Sequence, residues 1–267
     1  MPAVGNLAER ARILAFEREL LRRTTSHAEP FAYGTAYWDE RFPLRYDSNL
    51  LWAEGPLEGV TAAELAAECD RVLGGLGLEH RNLLVEDPLA GERIGPGLVG
   101  LGYTWDRLVT MVHRRGPDRP AARPVRELDV EAYLPIVRAM MRREPSAPSE
   151  EVVHQLAEHR RVLAEAGARF FVAFDGEVPA SRCELYLGPG IAQIEDVVTL
   201  PEHRGRGLAR AVVLRALDAA RVAGADLVFL HADEEDWPKE LYRRLGFEDL
   251  ARWSAFDRHP PRGGDGT

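Results

Sequence analysis

The stretch RGRGLA, residues 204–209, decides how this sequence is interpreted. It follows an apolar run, IAQIEDVVTL (191–200), and precedes a segment with the spacing of an amphipathic helix, LARAVVLRALDAARV (208–222). Its glycines let the backbone approach a ligand closely, and the first N–H groups of a helix carry partial positive charge. The sequence therefore predicts a strand, a cationic turn and a helix whose N-terminus suits a pyrophosphate. Taken alone, RGRG is weak evidence, because a solvated basic turn would also start a helix.

Composition narrows the classes of protein. The chain has 267 residues, 45% hydrophobic residues and a formal net charge of −9, enough for one large domain or two small ones. This acidity argues against nucleic acid or an anionic membrane as a bulk partner. Cys69 and Cys183 are far apart and form no metal-type spacing, which predicts reduced thiols. With no signal-like or membrane-spanning apolar run, we expect a soluble cytoplasmic protein.

The sequence contains two similar halves. LGYTWDRLVTMVHR (101–114) resembles LGFEDLARWSAFDR (245–258), and each follows a helix, a short apolar strand and a second helical or turn segment. This order predicts an internal duplication. The predicted division is a first lobe at 1–114, a proline-rich linker at 115–124, a second lobe at 125–258 and a disordered tail at 259–267.

The second half resembles the GNAT acetyltransferase superfamily over residues 125–257. Two segments carry the resemblance: VVTLPEHRGRGLA (197–209), where Arg204, Gly207 and Ala209 match the family's phosphate loop, and LYRRLGF (241–247). The resemblance implies an α/β fold with a GNAT-like mixed β-sheet flanked by helices, in two tandem lobes. It also implies acetyl-CoA as cosubstrate.

The same resemblance implies the cofactor-binding residues. In the family, the strand end before the loop pairs its backbone with the pantetheine arm, and the loop amides hold the pyrophosphate. On this chain these positions are Val197, Val198 and Thr199, followed by Arg204, Gly205, Arg206, Gly207, Leu208, Ala209 and Arg210.

The expected reaction is direct attack of a primary amine on the thioester. Tyr242 occupies the family position of the acid that protonates the departing thiolate; its alternative role is that of a packing tyrosine. An ammonium group must lose a proton before it attacks, which calls for a base. Glu195 is the first candidate and His231 the second, and His231 could equally be a hydrogen-bonded histidine at a strand end. An N–H near Val198 is a candidate donor to the oxyanion.

The first half departs from the phosphate-loop pattern. GPLEGV (55–60) contains no arginine, Glu54 and Glu58 would repel an anion, and Thr61 with Glu64 forms a capping box that uses the free N–H groups of the helix. We therefore expect a degenerate GNAT-like half without cofactor. The acidic run HADEED (231–236) lacks EF-hand spacing, and we expect a solvated loop and no metal.

The leading hypothesis is an acetyl-CoA-dependent N-acetyltransferase acting on a small-molecule, peptide or protein amine. One alternative is a non-catalytic acetyl-CoA sensor or interaction module on a GNAT scaffold. Another is a thiol- or hydroxyl-directed acyltransferase that uses a longer acyl-CoA. The sequence leaves open the acceptor, the acyl-chain preference and the oligomeric state.

Overall fold

The computed structural model describes residues 4–143, 149–235 and 237–259. Within them the helices are α1 Val4–Thr24, α2 Ala62–Cys69, α3 Pro88–Gly100, α4 Val130–Met141, α5 Glu150–Glu165, α6 Leu208–Val222 and α7 Pro238–Arg244. The strands are β1 His27–Phe31, β2 Gly34–Trp38, β3 Leu50–Ala53, β4 Arg81–Val85, β5 Thr104–His113, β6 Val125–Leu128, β7 Arg169–Asp175, β8 Val178–Gly188, β9 Ile191–Thr199, β10 Leu227–Asp233 and β11 Phe247–Arg258. The predicted α/β class is confirmed.

The described residues divide into two compact units. The larger unit contains residues 4–20, 110–143, 149–232 and 237–250, and the smaller unit contains residues 21–109, 233–235 and 251–259. These sets differ from the predicted lobes. Residues 110–113 of β5 belong to the larger unit, and residues 251–258 of β11 belong to the smaller one.

The larger unit is built on a mixed sheet with the strand order β11-β5-β10-β9-β8-β7-β6. From β6 to β9 each pair of adjacent strands is antiparallel, whereas β9 and β10 are parallel. Successive strand residues point to opposite faces. Phe171 therefore lies under Arg215 of α6, while Phe170 stacks on Tyr133 of α4 at 4.6 Å, so α6 and α4 cover opposite faces of the sheet.

Helix α1 contributes its first five turns to the larger unit. Phe16 packs edge-on against Phe229 of β10, and Ile13 is buried in the same cluster. Arg12 donates to Asp226 at 2.7 Å and to the carbonyl oxygen of Gly190 at 3.0 Å. These contacts fix the position of α1 along the sheet. Glu17 of the same helix therefore lies beside His231 of β10.

The smaller unit has the strand order β1-β2-β3-β4-β11-β5, with β3 and β4 parallel. Residues 254–258 of β11 pair antiparallel with β4. Its core lies between this sheet and helices α2 and α3, with Leu65, Leu83, Leu98 and Phe256 fully buried. The element order α2-β4-α3-β5 repeats the order α6-β10-α7-β11, as the internal similarity predicts.

The structure describes the whole of the predicted linker but only the first residue of the predicted tail. Residues 115–124 contain neither helix nor strand, and the backbone N–H of Asp118 donates to the carbonyl oxygen of Arg244 at 2.8 Å. The predicted tail, 259–267, lies outside the described residues apart from His259.

Candidate functional site

The turn RGRGLA links β9 to α6 as the sequence predicts. Gly207 is the N-cap of α6 with φ +79°, and Gly205 has φ +75°. Both angles lie in the left-handed region that favours glycine. A Cβ added at either position would meet no atom within 4 Å, so the space beside the turn is open. An approaching ligand therefore reaches the first turn of α6 without steric hindrance.

A cavity of about 570 Å³ lies between the end of β9, this turn, the first turn of α6, and α7. It brings together nearly all the predicted cofactor-binding residues and the predicted acid: Val197, Val198, Thr199, Arg204, Gly205, Gly207, Leu208, Ala209, Arg210 and Tyr242. Leu200, Pro201, His203, Trp237, Pro238 and Leu241, together with Arg119 and Arg244, complete the lining.

Two of the three arginines at the turn pair with carboxylates and the third does not, among the described bonds. Arg206 forms an ion pair with Asp175, and the buried Arg210 side chain donates to Asp118 at 2.6 Å. Neither therefore adds an uncompensated charge to the turn, although the sequence predicts a cationic turn. Arg204 donates through Nε to the carbonyl oxygen of Thr199 at 3.3 Å, which leaves its charge without a carboxylate partner among its described bonds.

Strand β9 contains a β-bulge just before the cavity. Glu184 of β8 pairs with Glu195, and Arg182 pairs with Val198, so Cys183 alone faces both Asp196 and Val197. Asp196 has φ +53°, an unusual angle for a residue with a side chain. The bulge rotates the last residues of β9 and re-aims Val197 and Val198, which line the cavity.

A buried ionic network supports the bulge. Arg160 of α5 donates to Glu184 at 2.8 Å and to Asp196 at 2.7 Å, and Arg182 pairs with the same Asp196 carboxylate. Tyr186 donates to Glu184 at 2.7 Å. Burial would raise the pKa of Glu184, but Arg160 and Arg182 outweigh it and lower that pKa. The network therefore holds Glu184 ionised and pairs Asp196 with two arginines at the point where β9 leaves regular geometry.

Replacing Arg160 by methionine tests the network. The variant removes the guanidinium that pairs with both Glu184 and Asp196. Removing one partner of a buried ion pair costs about 3–5 kcal/mol. We expect a loss of that order in the free energy of unfolding, measured by urea denaturation. The control is Arg161→Met on the same helix, where the exposed side chain pairs with Glu131 and Glu158 and should cost at most about 1 kcal/mol. Equal losses in the two variants would show that the network does not stabilise the fold.

Residues 133–247 match the model of the acetyltransferase (GNAT) family. The chain contains a GNAT acetyltransferase domain. The match covers the bulged strand, the turn, the cavity and Tyr242, and it ends at the first residue of β11.

Curated relatives match within the same half. The chain is 34% identical over 70 residues to glucosamine 6-phosphate N-acetyltransferase of Trypanosoma brucei brucei, a match that covers 26% of this chain and 46% of that protein. It is 34% identical over 77 residues to mycothiol acetyltransferase of Arthrobacter sp. (strain FB24), covering 28% of this chain and 23% of that protein. The matched stretches span less than half of either relative.

A solved structure matches nearly the whole chain. The GCN5-related N-acetyltransferase from Kribbella flavida superposes with a TM-score of 0.62 at 19% identity, covering 95% of this chain and 96% of that chain. At this identity the likeness shows the fold alone. The predicted GNAT-like architecture is confirmed.

The GNAT domain places the two predicted bases outside the lining of the cavity. The parallel ladder between β9 and β10 runs from Ile191 and Leu227 to Gln193 and Phe229. Glu195 and His231 follow directly on the two strands, and neither contributes to the cavity lining within the described residues. Glu195 is half-buried and accepts from Nε2 of Gln193 at 2.8 Å.

His231 has partners at both ring nitrogens. Nε2 lies 2.6 Å from Oε1 of Glu17 on α1, and Nδ1 lies 3.1 Å from the hydroxyl of Thr110. Burial lowers the pKa of His231, but Glu17 and Glu195 outweigh it and the net shift is upward. The imidazole is therefore held toward its protonated form, which cannot accept a proton from an amine. This protonation argues against His231 as the base, and Glu195 stays a prediction. Glu17 is a buried polar residue beside His231 that sequence reasoning missed.

The Glu17–His231 pair makes stability depend on pH. Because the folded pKa of His231 lies above its unfolded value of about 6.5, the pair's contribution is full below that pH and is lost as pH rises through the folded pKa. We expect the urea midpoint to fall between about pH 6 and about pH 9 more steeply in the parent than in Glu17→Gln. Glu19→Gln, an exposed position on the same helix, serves as control and should keep the parent slope. Parallel slopes in the parent and Glu17→Gln would contradict this.

In the smaller unit, the N-terminus of α2 and the turn before it are occupied by the unit's own side chains. The predicted capping box is confirmed, since Thr61 accepts from the N–H of Glu64 and Glu64 accepts from the N–H of Thr61. Arg93 of α3 donates to the carbonyl oxygens of Leu57 and Val60 at 2.6 and 2.7 Å. A Cβ at Gly97 of α3 would lie 2.6 Å from Cβ of Ala62, so α2 and α3 pack directly. In the GNAT domain, by contrast, the cavity lies between α6 and α7.

The acidic run before α7 makes internal contacts. Glu234 pairs with Arg252, and Asp233 accepts from the N–H of Glu235 at 2.7 Å, while Asp236 lies outside the described residues. No group of three or more metal-type side chains could hold an ion within the described part of the chain. None of its helices is long and apolar enough to cross a membrane.

Proposed function

We propose that this chain is an acetyl-CoA-dependent N-acetyltransferase that transfers the acetyl group to a primary amine by direct attack. The observation that carries the proposal is the cavity, because it joins an open helix N-terminus, the end of a bulged strand and Tyr242 in one space. A helix N-terminus with glycine-lined access suits a pyrophosphate. The end of β9 lies beyond the last residue that pairs with β10, and such a strand end suits an amide-rich arm. The names of the two curated relatives describe acetyl transfer, which agrees with this assignment.

The donor lies along the cavity in this proposal. The backbone amides from Gly205 to Arg210 bind the pyrophosphate with Arg204 beside them. The backbone of Val197, Val198 and Thr199 pairs with the pantetheine arm. The bulge at Asp196 turns these residues toward the cavity, which directs the thioester to the gap between β9 and β10.

The reaction proceeds in one displacement. Glu195 does not line the described cavity, so it takes a proton from the acceptor ammonium through water, and the amine attacks the thioester carbon. The N–H of Val198 stabilises the oxyanion. The C–N bond forms, the C–S bond breaks, and Tyr242 protonates the departing thiolate. The proton that the attacking nitrogen then loses returns to the oxygen of Tyr242. Tyr242 is nearly buried at 6% exposure and lines the same cavity as Val198, a placement compatible with that step.

The smaller unit takes no part in donor binding in this proposal. Its helix N-terminus is capped by Glu64, and Arg93 occupies the turn before it. We infer a degenerate GNAT-like copy, so that one chain binds one acetyl-CoA.

The proposed acetyl transfer is tested by measuring the free thiol of coenzyme A that the reaction releases. The parent is incubated with acetyl-CoA and a panel of small amines, peptides with free N-termini, thiols and alcohols, and product mass identifies the acylated atom. We expect acetylated amine with equimolar CoA. Binding without any product would favour the non-catalytic sensor. Acylated thiol or alcohol, or turnover of only succinyl- or propionyl-CoA, would replace the amine and acetyl assignments.

A further inference from the structure

Apart from Arg204, which donates to the carbonyl oxygen of Thr199, the arginines around the cavity fall into two sets. Arg206, Arg210 and Arg243 are paired with carboxylates, respectively Asp175, Asp118, and both Glu240 and Asp249. Arg119 and Arg244 are exposed, line the cavity, and have no side-chain hydrogen bond or ion pair within the described part of the chain. Neither guanidinium has a carboxylate within ion-pair distance in the described part of the chain, although the chain carries a net charge of −9.

The backbone holds these two residues next to each other. The N–H of Asp118 donates to the carbonyl oxygen of Arg244 at 2.8 Å, which ties the 115–124 segment to the C-terminal end of α7. Arg210 of α6 donates to the carbonyl oxygen of Arg119 at 3.0 Å and to Asp118. Arg119 is therefore fixed where the first turn of α6 approaches the end of α7, and its guanidinium is left for the cavity.

The turn already supplies donors for a pyrophosphate, so two further cations point to a second anionic group on the same ligand. Acetyl-CoA carries one, the 3′-phosphomonoester of its ribose, with close to two negative charges and three acceptor oxygens at neutral pH. Guanidinium groups match phosphate geometry and bind it through charge-assisted hydrogen bonds. Asp118, the carboxylate beside Arg119, is bound by Arg210, and the charge of Arg119 also helps to lower the pKa of Asp118. This single carboxylate is therefore shared with Arg210 and offsets only part of the charge of Arg119 and Arg244.

We propose that Arg119 and Arg244 bind the 3′-phosphate of the acyl-CoA donor and make the chain select coenzyme A over 3′-dephospho-coenzyme A. The inference rests on the proposed function, since it assigns a subsite of the same donor cavity. Arg119 comes from the segment between the two sequence halves, which gives that segment a role in donor recognition in addition to joining the halves.

The test is calorimetric titration of the full chain with coenzyme A and with 3′-dephospho-coenzyme A. We expect the parent to bind coenzyme A at least tenfold tighter, the effect of one or two charge-assisted bonds. In Arg119→Gln/Arg244→Gln the affinity for coenzyme A should fall by that factor and the affinity for the dephospho form should not change. The bond from Arg210 to the Arg119 carbonyl survives the substitution, because it uses the backbone oxygen.

Arg243→Gln is the matched control. It removes one positive charge from the same helix at a position that pairs with Glu240 and Asp249, and it should keep the parent preference. Equal affinities of the parent for the two ligands, or an equal loss of both in the double variant, would overturn the 3′-phosphate assignment. Failure of the parent to bind either ligand would overturn the proposed function as well.

Discussion

Gly207→Glu should abolish acetyl-CoA binding, with a loss of at least a hundredfold in affinity, while the chain still folds. Gly207 is the N-cap of α6, and a Cβ there points into space that no protein atom occupies within 4 Å. A carboxylate at this position would lie where we propose that the donor pyrophosphate binds, so that both volume and like charge would oppose the ligand. Calorimetric titration measures the affinity, and circular dichroism with urea denaturation measures the fold.

Two further variants separate charge from strain. Gly207→Ala introduces the strain of a side chain at φ +79° without the charge, and it should weaken binding far less than the glutamate. Gly224→Glu makes the same substitution after the other end of α6, where φ is +85° and the space is also open. It should lose stability comparably and bind acetyl-CoA like the parent. Undiminished binding by Gly207→Glu would show that the turn does not hold the donor.

Tyr242→Phe should lower kcat by about a hundredfold to a thousandfold, the range for removal of a general acid, with little change in the affinity for acetyl-CoA. The ring lies 6.2 Å from Phe247 and is nearly buried, so phenylalanine keeps the packing and removes only the hydroxyl. Steady-state kinetics with the acceptor found by the thiol-release screen supply kcat, and calorimetry supplies the affinity.

The outcome of that variant distinguishes two roles for Tyr242. A protonating group changes the basic limb of the pH–rate profile when it is removed, whereas a packing residue changes stability and leaves the profile intact. An unchanged kcat with an unchanged profile would assign Tyr242 to packing and would leave the thiolate to be protonated by water.

Local sequence predicted the turn and the capping box because each depends on a few adjacent residues. Two glycines between a strand and a helix require a tight turn, and Gly205 and Gly207 adopt left-handed angles there. Thr61 and Glu64 are three residues apart and satisfy each other's backbone, which sequence spacing alone specifies.

The network under the bulge was missed because it joins three separate elements. Arg160 comes from α5, Glu184 and Arg182 from β8, and Asp196 from β9. A signal was present in VPASRCELYL, where a fully buried Arg182 and Glu184 interrupt a strand of otherwise small and apolar residues. Unpaired charges are costly in such a strand, so their presence indicates partners elsewhere in the fold.

The composition of the two units could not be predicted for a related reason. LGYTWDRLVTMVHR and LGFEDLARWSAFDR have the same length and the same strand-like pattern, so the sequence does not say which sheet each segment joins. In the structure, residues 254–258 of β11 pair with β4, and residues 110–113 of β5 are in the unit that contains β10. The choice depends on contacts between residues far apart in the chain.

The most direct test of the account is the stoichiometry of acetyl-CoA binding to the full chain, measured by calorimetric titration. The account predicts one molecule per chain, because the GNAT domain has an open helix N-terminus above a cavity and the smaller unit fills the corresponding place with Glu64 and Arg93. Two molecules per chain would contradict the degenerate smaller unit. No binding would contradict the central claim that the turn at residues 204–209 holds the acyl donor.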